Sequence, residues 1–292
     1  YFRELRAAGG KEAAFFPSRI PYVNLKINYR NHRKLAIIDG KVGYIGGFNV
    51  GNEYLGLNKS FGPWRDTHLK VEGNAVLQMQ AQFLMDWNLA SAGQIQLLER
   101  YFPVADEAKG RIGMQIVASG PDTEEQQIKD AYIKMISSAK QTVYLQSPYF
   151  VPDDSMMTAL RIAAFSGVDV RIMVPSRPDH FFVYWATHSY LGELLDAGIH
   201  IYLYERGFLH AKTLVVDGKL SSVGTANLDI RSFKLNFEMN AFIYDRGTAS
   251  KLMAIFEDDM RHSSELTKEI YASRPLFDRF RESISRLLSP IL

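Results

Sequence analysis

The sequence predicts an α/β protein of two pseudo-symmetric halves, each an α/β/α sandwich with a mixed sheet, with the functional site between the halves. Three observations predict this class. Two segments of the chain repeat one another, strand and helix patterns alternate through the second half, and 292 residues are enough for two ordinary domains. The apolar fraction of 47% excludes a fully disordered chain, because it supplies ample surface to bury.

The repeat relates a segment that begins at His32 to a segment that begins at His210. The first reads HRKLAIIDGK and then GGFN, and the second reads HAKTLVVDGK and then GTAN. The shared His, Lys, Asp, Gly, Lys, Gly and Asn are all separated by the same 178 positions. A chance match in this register is very unlikely, so the sequence indicates an internal duplication of domain-sized copies.

Hydrophobic periodicity and the Gly, Pro and capping signals then assign the elements of each half. In the second half we predict strands at 115–119, 142–147, 168–174, 199–204, 212–216, 221–224 and 236–244. The helices predicted there span 124–140, 153 or 154 to 165, and 179–197. In the first half a helix precedes Gly9, another spans 74–89, and 91–110 is the expected connection between the halves.

These elements predict three regions: a first half over residues 1–110, a second half over 111–246, and a helical tail over 247–292 packed on the core. The first half lacks the opening strand and helix that its partner shows, so we expect it to be truncated at its N-terminus. The chain also begins with Tyr1 inside a helical pattern, which indicates a fragment or a processed form.

Composition excludes several classes of function. The net charge of +2 gives no support to bulk nucleic-acid binding, which needs a strong basic excess. Cysteine is absent, so disulfides, thiolate metal sites and cysteine nucleophiles are excluded. No apolar run approaches the roughly 18 residues of a transmembrane helix, and the sequence shows no signal peptide.

Each copy of the repeat places chemically useful side chains on one strand. In His-x-Lys the imidazole and the ammonium share a face, because alternate residues of a strand point the same way. Asp39 and Asp217 complete the catalytic motif, although their position before Gly-Lys predicts a mainly structural role in a tight turn. Asn49 and Asn227 follow glycines, which would let the backbone approach a ligand closely.

Brought face to face, the two copies would form a phosphodiester site. Lys34 and Lys212 would neutralise phosphate charge, and Asn49 and Asn227 would donate hydrogen bonds to its oxygens. One neutral histidine would attack phosphorus, while the other would protonate the departing alcohol and then deprotonate the incoming one. The lysines would take over the charge role of a metal, so we expect neither metal nor cofactor.

Each imidazole also needs an acidic partner on its far nitrogen. Glu238 lies on the strand after the Asn227 loop, and Asp66 is the corresponding acid of the first half. We therefore predict that Asp66 orients His32 and that Glu238 orients His210.

The paired His-x-Lys-x4-Asp motifs resemble those of the phospholipase D superfamily, and the surrounding residues resemble the bacterial cardiolipin synthases. The likeness covers essentially the whole chain and is carried by residues 28–34, 46–54, 63–68, 147–153, 224–232, 235–238 and 286–292. One departure is visible, since Gly47 and Thr225 stand where the family often has serine. We expect little effect from either residue.

The resemblance implies a phospholipase D-like fold and a phosphatidyltransferase that joins two phosphatidylglycerol molecules into cardiolipin and releases glycerol. It implies a phosphatidyl-histidine intermediate on His32, with His210 as acid and base, although the near symmetry of the copies leaves this polarity open. Phospholipid and a membrane surface are the implied partners, nucleic acid is not, and the oligomeric state is open. The implied location is the bacterial cell membrane, with the anchor in a segment that this chain lacks.

Other functions share these residues. A phospholipase D that hydrolyses the same intermediate is the main alternative, followed by a superfamily nuclease and an inactive lipid-binding module. The aromatic run Phe181–Trp185 starts a helix after a strand and is interpreted as an acyl-chain entrance. The final helix carries an apolar side and several arginines. We expect it to dock onto the body of the protein, with anionic lipid as the alternative.

Overall fold

The fold is known from a computed structural model that describes residues 2–17, 28–57, 62–91, 95, 99–103 and 110–289. The first half contributes a three-stranded antiparallel sheet in the order β1-β2-β4, covered by helix α2. Its elements are α1 (Arg3–Ala7), β1 (Leu35–Ile38), β2 (Val42–Gly46), β3 (Trp64–Arg65), β4 (His68–Glu72) and α2 (Ala75–Ala90). Short 3₁₀ helices lie at Asn52–Leu55 and Glu99–Tyr101.

The second half supplies most of a larger sheet. Its strands are β5 (Gly113–Ser119), β6 (Thr142–Gln146), β7 (Phe150–Val151), β8 (Asp169–Pro175), β9 (His200–Tyr204), β10 (Phe208–Leu209), β11 (Thr213–Val216), β12 (Leu220–Gly224), β13 (Leu228–Asp229), β14 (Glu238–Tyr244) and β15 (Ser263–Leu266). Its helices are α3 (Gln127–Ser138), α4 (Asp154–Phe165), α5 (Phe181–Asp196), α6 (Ile230–Lys234), α7 (Arg246–Met260), α8 (Lys268–Ala272) and α9 (Leu276–Leu287).

Within the described residues, eight strands form one mixed sheet in the order β15-β9-β8-β6-β11-β12-β14-β5. The pairs β6–β8 and β8–β9 are parallel and the others antiparallel. Helices α3, α4 and α5 cover one face over a large apolar core, and α7 covers part of the other face. The predicted α/β class is therefore confirmed, and the predicted second-half elements are present with small shifts of their ends.

The two copies of the repeat occupy unequal places in their sheets. Strand β11 is buried throughout because β6 and β12 flank it. Among the described residues β1 pairs only with β2, and it is buried only in part. The first half is thus a smaller layer than the second, in line with the expectation that it is truncated. It packs on one face of β14 through a shared, buried apolar cluster of Ile45, Val71, Val76, Met79, Met239, Ala241 and Ile243.

Two short parallel pairings cross between the halves and position the candidate site. Strand β3 pairs with β10, and the amide of His210 then donates to the carbonyl of Arg65 at 2.7 Å. In the opposite direction Asn31 pairs with Phe237, and the amide of His32 donates to the carbonyl of Phe237 at 2.9 Å. Each histidine therefore follows a segment that is hydrogen-bonded to the other half of the protein.

The C-terminal region differs from the predicted helical tail, because residues 263–266 form β15 at the edge of the large sheet. The division of the chain at 110 and 246 stays a prediction. Part of the predicted connection at 91–110 and the end of the 286–292 motif lie outside the described residues. Across the part of the chain that the structure describes, none of the helices combines the length and apolarity needed to cross a membrane.

Candidate active site

His32 lies at the entrance to β1 and faces an acid of the other half. Its Nδ1 donates to Glu238 Oε1 at 2.8 Å, and the other carboxylate oxygen lies 3.0 Å away. The Glu238 side chain is fully buried, while that of His32 is 27% exposed. Because a carboxylate can only accept, the contact keeps the proton on Nδ1 and leaves Nε2 free for a ligand.

His210 lies at the corresponding place before β11, and it contacts an acid of the first half. Its Nδ1 donates to Asp66 Oδ2 at 2.8 Å. Both side chains are nearly buried, at 7% and 6% exposure. Tyr54 and Trp64 of the first half pack their rings about the imidazole, each with a centroid distance of 5.5 Å.

The predicted partners of the two histidines are therefore wrong: each imidazole contacts the acid of the opposite half. The cause is the pair of crossing strand contacts. The segment before Asp66 pairs with the segment before His210, and the segment before Glu238 pairs with the segment before His32. The same four side chains are involved as predicted, but the acids are exchanged.

Lys34 and Lys212 occupy matching positions beside the histidines. Each Nζ donates to the carbonyl of the histidine two residues earlier at 2.7 Å. Nζ of Lys212 also lies 3.1 Å from Nε2 of His210. Each ammonium group is thus held at the backbone of its histidine, and that of Lys212 also lies against the imidazole.

Burial and the charged groups of the other half both shift the pKa values of these two lysines. Desolvation lowers the pKa of Lys34 to about 7; Glu238 and Asp66 oppose this, and Lys212 adds to it. Desolvation likewise lowers the pKa of Lys212 to about 8, against the effects of Asp66 and Glu238. Both acids therefore act on both lysines, so the charged groups of the two halves share one site.

The electrostatics of His210 keep it neutral. Burial lowers its pKa to about 3, and the charge of Lys212 adds to this effect more than Asp66 can offset through its hydrogen bond. For Glu238 burial alone would raise the pKa, but the charge and hydrogen bond of His32 together with Lys34 lower it. The site thus contains a buried carboxylate, that of Glu238, and a buried neutral imidazole, that of His210.

The two asparagines of the repeat have different surroundings. Asn49 donates from Nδ2 to the Tyr54 hydroxyl at 2.7 Å. Asn227 is 5% exposed, and among the described residues its side-chain oxygen has no hydrogen-bond partner. A buried acceptor without a partner is costly, so this oxygen would favour a ligand group that donates a hydrogen bond.

Asp39 and Asp217 do not join this group, which corrects their inclusion among the catalytic candidates. Asp217 follows β11 and accepts hydrogen bonds from the amides of Lys140, Gln141 and Thr142. Those bonds lower the pKa of Asp217 in spite of its desolvation. Asp39 is exposed at the turn after β1, and both aspartates have a positive φ of 52°. Their structural role in the turn is the one that the geometry supports.

The glycines of the motifs make room for protein side chains. A Cβ on Gly47 would overlap both carboxylate oxygens of Asp66, and one on Gly224 would overlap the Asn240 amide. At the position equivalent to Gly47, Thr225 donates from Oγ1 to Glu238 Oε2 at 2.5 Å. Each of these two positions thus lies against the carboxylate that contacts a histidine, and the expectation that Gly47 and Thr225 have little effect stays a prediction.

Sequence reasoning missed other members of the site. Asp229 is buried and caps α6, where its Oδ1 accepts from the Ser232 amide at 2.6 Å. Desolvation raises its pKa to about 6, against the opposing effects of the hydrogen bonds from Ser232 and of the charge of His32. The repeat gives no signal for it, because the equivalent position is Gly51.

Arg33 is a further residue that the repeat could not indicate, since Ala211 occupies the equivalent position. Its guanidinium forms an ion pair with Asp86 and donates from Nε to the Glu238 carbonyl at 3.0 Å. The first half thereby fixes the backbone of the acid that contacts His32.

The arrangement is suited to nucleophilic displacement at phosphorus. In each imidazole the Nδ1 atom is bonded to an acid, which leaves Nε2 to react. Two ammonium groups supply positive charge nearby. In the described part of the chain, histidine and acidic side chains form no cluster of three that could hold a metal ion.

Comparisons with known proteins show what the chain is similar to. Residues 132–260 match the family model described as cardiolipin synthase, PLD-like domain. The cardiolipin synthase of Listeria monocytogenes serotype 4a (strain HCC23) is 60% identical over 293 residues, covering 100% of this chain and 61% of that protein. The major cardiolipin synthase ClsA of Bacillus subtilis (strain 168) is 58% identical with the same coverage. The chain thus spans about three fifths of the length of these relatives.

A solved structure shares the fold. The phosphatidylserine synthase of Haemophilus influenzae Rd KW20 superposes with a TM-score of 0.66 and 15% identity, covering 90% of this chain and 71% of that chain. At this identity the likeness concerns the arrangement of both halves and not the reaction.

Proposed function

This chain belongs to the phospholipase D superfamily, with a PLD-like domain of the cardiolipin synthase type, and on that premise we propose that it is a phosphatidyltransferase. The proposed reaction joins two phosphatidylglycerol molecules into cardiolipin and releases glycerol. The observation that carries the proposal is the pair of crossed contacts, His32 with Glu238 and His210 with Asp66, with Lys34 and Lys212 beside them.

In the first step Nε2 of His32 attacks the phosphorus of one phosphatidylglycerol. The bond between phosphorus and the head-group oxygen breaks, and protonated His210 gives its Nε2 proton to that oxygen, so glycerol leaves. Glu238 stabilises the positive charge that develops on His32. Lys34 and Lys212 stabilise the negative charge on the phosphoryl oxygens, and the side-chain NH2 group of Asn227 donates a hydrogen bond to one of them.

In the second step a glycerol hydroxyl of another phosphatidylglycerol enters. Neutral His210 takes its proton, the oxygen attacks phosphorus, and the bond to His32 breaks. Cardiolipin is formed, and both histidines return to their starting protonation states. The hydrolase of the same superfamily would use water at this step, so the acceptor alone separates the two reactions.

The roles of the two histidines follow the superfamily resemblance, and the resting charges set a condition on them. His210 is neutral in the free site, since its pKa is lowered to about 3. It must gain a proton to act as the acid, and the negative charge of a bound phosphodiester raises the pKa of a neighbouring imidazole. Substrate binding would therefore prepare His210 for its first task.

The proposed partners are a phospholipid and a membrane surface, and the proposed location is the bacterial cell membrane. Phosphatidylglycerol resides in a bilayer, so the protein must reach the lipid–water interface to act. Oligomeric state and acyl-chain preference are separate questions.

The test is incubation of the protein with radiolabelled phosphatidylglycerol in detergent micelles, followed by separation of the products. Cardiolipin with equimolar glycerol supports the proposal, whereas phosphatidic acid indicates the hydrolase. H32A should abolish turnover. H200A is the matched control, because His200 also contacts an acid, Glu265 at 2.8 Å, but lies 51% exposed on the edge strands. Equal loss in both variants, or no product from the wild type, would contradict the proposed function.

A further inference from the structure

Helix α9 packs against the protein with its polar side and shows its apolar side to solvent. Glu282 and Ser285 are buried at 4% and 1% exposure. The large apolar residues on the other side are exposed, at 79% for Leu276, 61% for Phe277, 58% for Phe280, 40% for Ile284 and 81% for Leu287. The helix docks on the body, as expected from the sequence, but with the opposite face.

Polar contacts fix this orientation. Arg274 donates from Nε to both oxygens of Glu282, at 2.9 and 3.0 Å. Arg286 donates to the carbonyl of Ser189 at 3.1 Å and to the Glu193 carboxylate at 2.5 Å, both on α5. Rotating the helix to bury its apolar side would break these contacts and expose the buried Glu282. The exposed apolar side is therefore a property of the folded state.

The apolar surface continues onto the start of α5. Phe181 and Phe182 are 53% and 47% exposed there. The Arg281 guanidinium lies 4.1 Å from the Phe277 ring centroid and 5.8 Å from that of Phe181, so it joins the two helices. We call this surface the α5/α9 face; it consists of Phe181, Phe182, Leu276, Phe277, Phe280, Ile284 and Leu287. Contiguous apolar patches of this kind mark interaction sites on soluble domains.

The charges around the α5/α9 face fit an anionic surface. Residues 274–287 contain four arginines and two acids. Three of the arginines are in ion pairs, Arg274 with Glu282, Arg281 with Asp278 and Arg286 with Glu193 of α5, so these groups together carry an excess of one positive charge. Arginines that border an exposed stripe of phenylalanine and leucine are typical of helices that lie in the interface of anionic membranes.

The α5/α9 face also lies next to the candidate active site. Helix α5 begins two residues after Asp179, which accepts a hydrogen bond from the Tyr149 hydroxyl. The Asp179 carboxylate is close enough to Lys212 to act on its charge. A surface bound at the start of α5 would therefore lie near the charged groups of the candidate site.

We propose that the α5/α9 face inserts into the interfacial layer of an anionic phospholipid bilayer and presents the active site to the lipid head groups. The choice of a bilayer as the occupant rests on the proposed function, because the substrate of that reaction is an anionic membrane lipid. The apolar side chains would lie among the upper acyl chains, and the bordering arginines would contact phosphates.

Flotation with lipid vesicles tests the proposal. The variant is F280E, and the control is F165E, because Phe165 on α4 is similarly exposed at 66% but lies outside the α5/α9 face. Both are made in the H32A background so that no lipid is consumed. We expect F280E to lower the fraction bound to vesicles of phosphatidylglycerol and phosphatidylethanolamine at least about fivefold, with F165E unchanged. Binding to phosphatidylcholine vesicles should be weaker for every variant.

Turnover separates this proposal from the proposed function. With His32 restored, F280E should retain wild-type turnover of a short-chain phosphatidylglycerol below its micelle concentration and lose turnover of vesicle lipid. If the wild type turns over neither lipid but F280E still loses vesicle binding, the result contradicts the proposed function and supports the membrane-binding role of the α5/α9 face. Equal vesicle binding by F280E and F165E would overturn the surface proposal. A lipid-free dimer that F280E dissociates would also overturn it, by assigning the face to a second copy.

Discussion

His32 of the first half and Glu238 of the second are joined by a hydrogen bond of 2.8 Å, across a separation of 206 residues. The matching bond joins His210 to Asp66, so neither half contains a complete histidine–acid pair of its own. The duplicated segments can therefore form the site only when both halves are folded and docked. Loss of docking would remove both pairs at once.

Replacing the buried acid without changing its shape should impair catalysis. E238Q retains the size of the side chain but removes the charge that faces His32. By analogy with the loss of the acid in other catalytic triads, we expect kcat for phosphatidylglycerol turnover to fall roughly 10²- to 10⁴-fold. The measurement is the initial rate of cardiolipin formation in micelles at saturating lipid.

The matched control for E238Q is E265Q, since Glu265 contacts His200 at the same 2.8 Å but is 46% exposed. An exposed pair contributes little, so its rate should stay within about twofold of the wild type. A rate for E238Q close to that of E265Q would show that the Glu238 charge is not used.

Anion binding should weaken as the pH rises from 6 to 9. Lys34 and Lys212 have pKa values lowered to about 7 and about 8, so both lose their protons within this interval. Tungstate keeps a charge of −2 throughout and mimics phosphate. We expect its dissociation constant, measured by calorimetry, to rise about tenfold or more. A dissociation constant that is flat over this range would contradict the lowered pKa values.

Adding one methyl group at Gly47 should damage the site of the other half. The new Cβ would overlap the Asp66 carboxylate, which must then move away from His210. We expect G47A to lower turnover by about tenfold or more and to reduce the free energy of unfolding by about 1–3 kcal/mol. The readouts are cardiolipin formation and denaturant unfolding.

Gly113 provides the comparison for that change, because a Cβ there would meet its nearest neighbour, Tyr244, at an ordinary 3.5 Å. G113A should leave turnover unaltered and shift unfolding by less than about 0.5 kcal/mol. Equal effects of G47A and G113A would mean that Asp66 can retreat without loosening His210.

Much of the site could be predicted because its residues lie in local, repeated patterns. The constant spacing identified His32 with His210 and Lys34 with Lys212, and strand alternation placed each pair on one face. The structure brings all four into one electrostatic neighbourhood. Residues without a repeat partner, such as Asp229, carried no comparable signal.

The rest depended on contacts that no local pattern encodes. The exchange of acids follows from two short parallel pairings, β3 with β10 and Asn31 with Phe237, which join segments far apart in the chain. The periodicity of α9 likewise fixed which side chains share a face but not which face packs. That choice was made by the polar contacts of Glu282 and Arg286.

The central claim is that each histidine is held by the acid of the opposite half, and NMR of the imidazole Nδ1 protons tests it most directly. E238Q should shift or remove the His32 Nδ1 proton signal and leave that of His210 in place. D66N should do the reverse. Signals that respond in the other pairing, His32 to D66N and His210 to E238Q, would contradict the account.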